Sequence, residues 1–221
     1  MKYGALFLTL ALLLAGFATS RGAFYCLILW PAVSLAIVAS GYLGLGTRVF
    51  GKRPDGTISP LHILLLLPYL VPLWTLWLVA RSFRREKPYH QLTENILFGR
   101  RLMSHEVPDG IDHVIDLTCE FREPRKLRAL SYFSFPILDA SIASEQQLKA
   151  WIELTAELEG TVYIHCAEGR GRTGMFAAAL LLQTGEARTV EEAVSLVTKK
   201  RPHLKLNAEQ RACLQHLGIE Y

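Results

Sequence analysis

The first eighty residues hold one carboxylate, Asp55, against five basic residues, Lys2, Arg21, Arg48, Lys52 and Arg53. A segment so poor in acidic charge does not have the composition of a water-exposed surface. Cysteine is also scarce. The four present, Cys26, Cys119, Cys166 and Cys213, lie far apart. They form no CxxC pair and no zinc-ligand spacing, which argues against a disulfide framework and a structural zinc site. No nucleic-acid-binding motif occurs, and no basic stripe interleaved with aromatics, so the net charge of +4 does not indicate a nucleic-acid partner. There is no internal repeat and no low-complexity tract. No metal-ligand set is seen, so no metal and no cofactor is expected.

Three apolar runs fill residues 3–19, 23–45 and 61–80, each without Asp, Glu, Lys or Arg. A span needs about 20 apolar residues to cross a bilayer core. The second and third match that length, and the first is short but adequate. Residues 1–80 therefore read as a membrane region of about three transmembrane helices, in a multi-pass integral membrane protein that contacts membrane lipids. The first run has a second reading as a cleaved signal peptide, with Lys2 as a thin basic start and Ala18-Thr19-Ser20 as a small-residue cleavage site. Against that, it runs through Ser20-Arg21-Gly22 into the second span, as a tight helical hairpin would. Cys26, inside that second span, reads as packing. Pro68 and Pro72 should kink the third span. Trp74 and Trp77 near its end suit an interface.

Residues 81–88 form a basic juxtamembrane linker with Arg81, Arg84, Arg85 and Lys87. It suits anionic headgroups or a plain stop-transfer flank. Counting Lys and Arg on the two sides of three spans gives four against five. That leans weakly towards a cytoplasmic C-terminal domain. A cleaved first run would put the domain outside.

Residues 89–221 have the balanced composition of a globular domain. Val114, Ile115 and Leu117 mark a buried strand, Tyr132 to Ile137 a second, and Thr161 to His165 a third. Ser144 with Gln147 and Thr189 with Glu192 read as capping boxes, and Asn207 caps a last helix closed by Gly218. Strands interleaved with helices give an α/β fold with a largely parallel central sheet flanked by helices, preceded by three transmembrane helices.

The chemistry concentrates in Tyr163-Ile-His-Cys166-Ala-Glu-Gly-Arg-Gly-Arg172-Thr-Gly174. An apolar strand runs into a cysteine, three glycines follow, and a helix begins. A thiol at a helix N-terminus ionises more readily than a free one. That makes Cys166 the candidate nucleophile. Gly169, Gly171 and Gly174 allow successive backbone amides to face one anion at the positive end of a helix dipole. Arg172 offers a planar fork for two phosphoryl oxygens. Thr173 is placed to donate its hydroxyl to the sulfur. The phosphate-binding stretch is thus Ala167, Glu168, Gly169, Arg170, Gly171 and Arg172. It is not a nucleotide loop, because GxxxxGK[ST] needs a lysine that is absent here.

His165-Cys166-Ala-Glu-Gly-Arg-Gly-Arg172-Thr173 resembles the HCxxGxxR[ST] signature of the cysteine-dependent, dual-specificity protein tyrosine phosphatases. The resemblance covers about 95–217. It includes the strand Val-Ile-Asp-Leu-Thr-Cys119-Glu, the strand Tyr-Phe-Ser-Phe-Pro-Ile-Leu-Asp139 and the tail Arg201-Pro-His-Leu-Lys-Leu-Asn-Ala-Glu-Gln210. It implies a phosphoric monoester hydrolase working through a phosphocysteine intermediate. It also implies that Asp139, 27 residues before Cys166 and just after a strand, is the general acid. Asp116 is the alternative acid, inside a strand. His165 orients the loop by the same resemblance. Cys119 has two readings, a redox partner of the nucleophile, as in the phosphatase-and-tensin type, or simple packing.

The substrate stays open at this point. Glu168 stands where the lipid phosphatases of that type carry a basic residue, while Arg170 keeps one positive charge. A membrane lipid phosphate and a phosphotyrosine, phosphoserine or phosphothreonine protein both fit. The alternative function is a catalytically weak phospho-binding module tethered to the membrane.

Overall fold

The computed structural model describes residues 2–20 and 23–217. The turn read at Arg21-Gly22 and the stop at Gly218 lie outside the described residues, as does the side chain of Cys26. The chain divides into two compact units. One is Met1–Arg53 with Thr57–Arg85, and the other is Pro54–Gly56 with Glu86–Tyr221.

In the first unit, helices α1 (Lys2–Ser20) and α3 (Pro60–Ser82) are long. Pro60 sits in the first turn of α3, where its missing N–H costs nothing, and helix is assigned unbroken through Pro68 and Pro72. The second apolar run is less regular than the sequence suggests. Helix α2 (Leu29–Ser40) follows a 3₁₀ turn, Ala23–Ile28, and passes into a π turn, Gly41–Leu45, and another 3₁₀ turn, Gly46–Phe50. The cause is local. Gly44 and Gly46 take φ values of 141° and 67°, which an α-helix cannot contain.

Small residues let these helices approach closely. A Cβ on Gly4 would come within 2.8 Å of Leu43. Phe7 meets Tyr69 edge-on at 5.6 Å, and Trp30 Nε1 donates to the Leu64 carbonyl at 3.1 Å. Leu12, Leu13, Leu61, Leu64 and Leu76 face outward instead. Three helical stretches, Lys2–Ser20, Leu29–Phe50 and Pro60–Ser82, are long and apolar enough to cross a membrane.

The second unit is built on a five-stranded mixed sheet. Its strands are β1 (Tyr89–Gln91), β2 (Ile96–Arg100), β3 (His113–Thr118), β4 (Ser131–Ile137) and β5 (Val162–Cys166), in the order β1-β2-β5-β3-β4. All neighbours run parallel except β1, an antiparallel edge. Around it lie α4 (Arg125–Arg128), α5 (Glu145–Ala156), α6 (Gly171–Gln183), α7 (Val190–Lys200) and α8 (Ala208–His216).

Strand alternation sorts the side chains. Ile115 and Leu117 of β3 and Val162, Ile164 and Cys166 of β5 join one large core with α5 to α8. Phe135 stacks on Trp151 of α5 at 4.8 Å within this core. Val114 and Tyr163 point to the other face and a smaller cluster with Leu102, Val107, Ile111 and Leu127. Helix α6 is buried from Arg172 to Leu182, which fits its run of Ala and Leu.

The three predicted caps differ in form. Ser144 and Thr189 accept from the Gln147 and Glu192 amides, but Glu192 reaches back to Arg188 N rather than to the cap residue. Only Asn207 and Gln210 form the reciprocal box.

Candidate active site

Strand β5 ends at Cys166 in the middle of the sheet, and α6 starts at Gly171. The five residues from Cys166 to Arg170 turn between them, and each of their carbonyls is held. Cys166 O and Ala167 O accept from Arg101 N at 2.7 and 3.4 Å. Glu168 O and Gly169 O accept from the Arg201 guanidinium at 3.4 and 2.8 Å, and Arg170 O accepts from Gly174 N at 2.8 Å. In a trans peptide the carbonyl and the following N–H point opposite ways. Fixing these carbonyls towards the protein therefore turns the amides of residues 167–171 to the other side of the loop. That is the geometry of an anion nest at the start of a helix.

Two glycines make the loop possible. Gly169 has φ of 65°, and a Cβ there would collide with the backbone of Gly99 and Arg100. At Gly171 a Cβ would come within 2.9 Å of Gln210 Oε1. Gln210 also donates to the Ser141 carbonyl at 3.5 Å, so it lies between the signature loop and the loop after β4.

Arg172 is buried and its two terminal nitrogens are committed. Nη2 meets Glu120 Oε1 at 2.6 Å and Asp139 Oδ1 at 3.1 Å. Nη1 donates to Glu120 Oε2 at 3.0 Å and to the Ile137 carbonyl at 2.9 Å. Its Nε is buried and has no hydrogen-bond partner among the described residues. Burial disfavours the charged guanidinium, but Glu120 and then Asp139 outweigh it and hold the Arg172 pKa well above its ordinary value. Burial likewise pushes Glu120 up, while Arg172 overrides it and keeps that carboxyl below its usual range.

Asp139 lies just past β4 with its side chain 74% exposed. The next residue, Ala140, has φ of 55°, and its carbonyl accepts from Asn207 Nδ2 at 2.9 Å. Thus the cap of α8 ties down the turn that carries Asp139. Thr173 donates to the Gly99 carbonyl at 3.3 Å, so the donation to sulfur expected from the sequence is not made in this state. Cys119 is buried, with Sγ directed at Glu120 Oε2 at 3.4 Å and the Ile137 carbonyl at 3.7 Å. It forms no disulfide, and neither does Cys166.

His165 stands on the second face of the sheet, beside Asp116 on the adjacent strand. Its Nδ1 is 3.9 Å from Asp116 Oδ1 and its Nε2 is 3.6 Å from Glu123 Oε1, all with fully buried side chains. These three residues offer ligand atoms within 4.8 Å of one another. Arg101 Nε already lies 3.4 Å from Glu123 Oε2, and Tyr132 donates to Asp116 Oδ2 at 2.6 Å. Asp116 is therefore a buried partner of His165 and Tyr132, whereas the Asp139 side chain is exposed.

Three participants escape sequence reading: Glu120, Glu123 and Arg201. Glu120 follows directly on Cys119 after a buried strand, which is the one local signal that could have marked it. The others meet the loop only through the fold.

Residues 97–218 match the family model described as "Dual specificity phosphatase, catalytic domain". Among solved structures, Tk-PTP in the active form is similar with a TM-score of 0.53 and 26% identity, over 61% of this chain and 98% of that one. PTPMT1 in complex with PI(5)P is similar in fold, with a TM-score of 0.52 and 20% identity over 59% of this chain and 94% of that one. No curated protein sequence matches the chain.

Proposed function

The chain belongs to the dual specificity phosphatase family, and from that membership we propose a membrane-anchored cysteine phosphatase that hydrolyses phosphomonoesters through a phosphocysteine intermediate. The observation that carries this reading is the set of held carbonyls from Cys166 to Arg170. It supports an anion seat in the loop that begins at Cys166.

A phosphoryl group in that seat meets the amides of residues 167–171. Its equatorial oxygens take the unpartnered Arg172 Nε and the Nη2 donor now facing Asp139. Binding thus displaces Asp139 from Arg172 and releases its carboxyl towards the leaving oxygen. The Cys166 thiolate attacks phosphorus, the ester bond breaks, and Asp139 gives its proton to the departing oxygen. Water then attacks the phosphocysteine, with Asp139 taking the proton and phosphate leaving. Glu120 keeps Arg172 oriented through both steps.

The three apolar helices support anchoring in a membrane, and the Lys and Arg count on the two sides of the spans leans towards a cytoplasmic catalytic unit. The substrate is a membrane lipid phosphate or a phosphorylated protein. PTPMT1, which is similar in fold, has been captured in complex with PI(5)P, and that supports the lipid reading.

The test is a panel assay of the full chain in detergent against phosphatidylglycerophosphate, phosphoinositides and phosphotyrosine peptides. Turnover on one class is expected, with Cys166→Ser inactive yet still binding phosphate. Residual activity of that variant on a small aryl phosphate would sink the mechanism. An inert wild type that binds phosphate would instead mark a phospho-binding module. A reporter fused to the C-terminus reads the orientation.

A further inference from the structure

The turn that carries Asp139 is strained, and the strain is held from outside it. Leu138-Asp139-Ala140-Ser141 closes as a four-residue turn, with Ser141 N donating to the Leu138 carbonyl at 3.1 Å. Its third residue, Ala140, has φ of 55° and is the one non-glycine with positive φ among the described residues. That turn position favours glycine or asparagine, because a Cβ there crowds the following carbonyl. Alanine brings no polar side chain to offset the crowding. Such a residue persists only where its surroundings over-determine it.

The restraint comes from 67 residues away. Asn207 Nδ2 donates to the Ala140 carbonyl at 2.9 Å, while its Oδ1 accepts from Gln210 N at 2.8 Å as the cap of α8. The backbone leading to Asn207 is itself fixed to the signature loop and to α6. Arg201 grips Glu168 O and Gly169 O, and Leu204 N donates to the Arg201 carbonyl at 3.0 Å. Leu204 packs so closely on Gly174 that a Cβ there would stand 2.5 Å from it. Gln210, buried at the same cap, accepts from Asn207 N at 3.1 Å and fills the space beside Gly171. One half of the Asn207 side chain therefore answers to the elements that hold the phosphate seat, and the other half to the turn that holds the acid.

We propose that Asn207 is a positioning residue for the general acid, whose Nδ2 latches the strained Ala140 turn and so registers Asp139 against the signature loop. Without that donor Ala140 relaxes to negative φ. The relaxation rotates the Asp139–Ala140 peptide and turns Asp139 away from the seat. Cys166 and Arg172 keep their places, because the Asn207 hydrogen bonds run to Ala140 and Gln210. This inference rests on the phosphatase reading and adds a residue to its proton-transfer step.

Asn207→Ser separates the latch from the cap. Serine caps a helix about as well as asparagine does, but its hydroxyl ends one bond short of Nδ2 and does not reach the Ala140 carbonyl. In full chains in detergent, kcat on an alkyl phosphate should fall about tenfold, the scale of one hydrogen bond. On an activated aryl phosphate, which needs no proton from the acid, kcat should stay within about twofold. In an Ala140→Gly background the turn has no strain to release, so Asn207→Ser should cost at least about threefold less there. An equal loss on both esters, an unchanged alkyl rate, or the full loss in the Ala140→Gly background overturns the latch. Hydrogen exchange reads it without turnover. Asn207→Ser should speed exchange of the Ser141 amide about tenfold while the α8 amides keep their protection. Protection kept at Ser141, or lost along α8 as well, overturns it. A wild type inert on both esters counts against the phosphatase reading alone, and the exchange rates then decide the latch.

Discussion

Glu120 grips Arg172 with both carboxylate oxygens, Oε1 on Nη2 at 2.6 Å and Oε2 on Nη1 at 3.0 Å. The pair is buried, so each charge depends on the other. Removing one partner of a buried ion pair costs about 3–5 kcal/mol, because the survivor stays desolvated and unpaired. Glu120→Ala should therefore lower the unfolding temperature of the catalytic unit sharply and also reduce turnover, since Arg172 loses its orientation. Glu120→Gln keeps the shape and one acceptor and should fall between. A Glu120→Ala protein with wild-type melting and wild-type kcat/KM would remove Glu120 from the site's design.

The same pair sets an acid limit. Arg172 holds the Glu120 carboxyl below its usual range against the opposing effect of burial. The unfolded chain therefore binds this proton first as pH falls. The pair's contribution is whole above the ordinary glutamate pKa of about 4.3, declines below it, and is lost as pH passes through the depressed native value. Melting temperatures measured from pH 6 down to pH 3 should fall more steeply in wild type than in Glu120→Gln. Parallel curves would refute the linkage.

The parts of the site that sit on one stretch of chain are legible in the sequence. Cys166, the glycines and Arg172 share one strand-loop-helix turn, and strand alternation with turn residues predicts the sheet around it. The parts assembled from distant strands are not. His165 meets Asp116 only because β5 and β3 are neighbours in that register. Arg201 meets Gly169 across 32 residues, and nothing local marks it. Thr173 and Arg172 show the other limit. Their types indicate what they can bind, but the free loop gives their donors to Gly99, Glu120 and Asp139. The irregular second apolar helix was hidden for a simpler reason. Hydropathy reports a span's length and not where Gly44 and Gly46 break its ladder.

Gly169 and Gly185 separate backbone strain from collision. Both have positive φ, 65° and 74°. An added methyl at Gly185 meets nothing within 4 Å, whereas at Gly169 it runs into the Gly99 and Arg100 backbone. Each substitution by alanine carries the left-handed penalty of roughly 1–2 kcal/mol. Only Gly169→Ala must also move the loop. Gly185→Ala should lower the melting temperature with kcat/KM unchanged, while Gly169→Ala should lose kcat/KM by at least about tenfold, or 1.4 kcal/mol of transition-state stabilisation. Comparable activity in the two variants would mean the loop tolerates the shift.

Asp139 holds two positions in the proposed cycle, and one substitution tests both. In the free enzyme it occupies an Arg172 donor, 3.1 Å from Nη2. In the reaction it protonates the leaving oxygen. Asp139→Asn removes the acid, which is worth typically about 10²–10⁴-fold where the leaving group needs a proton. An alkyl phosphate, whose alkoxide leaves poorly, should lose that much kcat. An activated aryl phosphate, whose phenolate leaves unaided, should lose far less. The same change removes a negative charge from Arg172, so inorganic phosphate and vanadate should bind more tightly as competitive inhibitors. A merely structural aspartate would not give this combination, because misplacing Arg172 weakens anion binding and slows both substrate classes together. An equal loss on alkyl and aryl esters, with weaker vanadate inhibition, would assign the proton to another residue and leave Asp139 as a brace for Arg172.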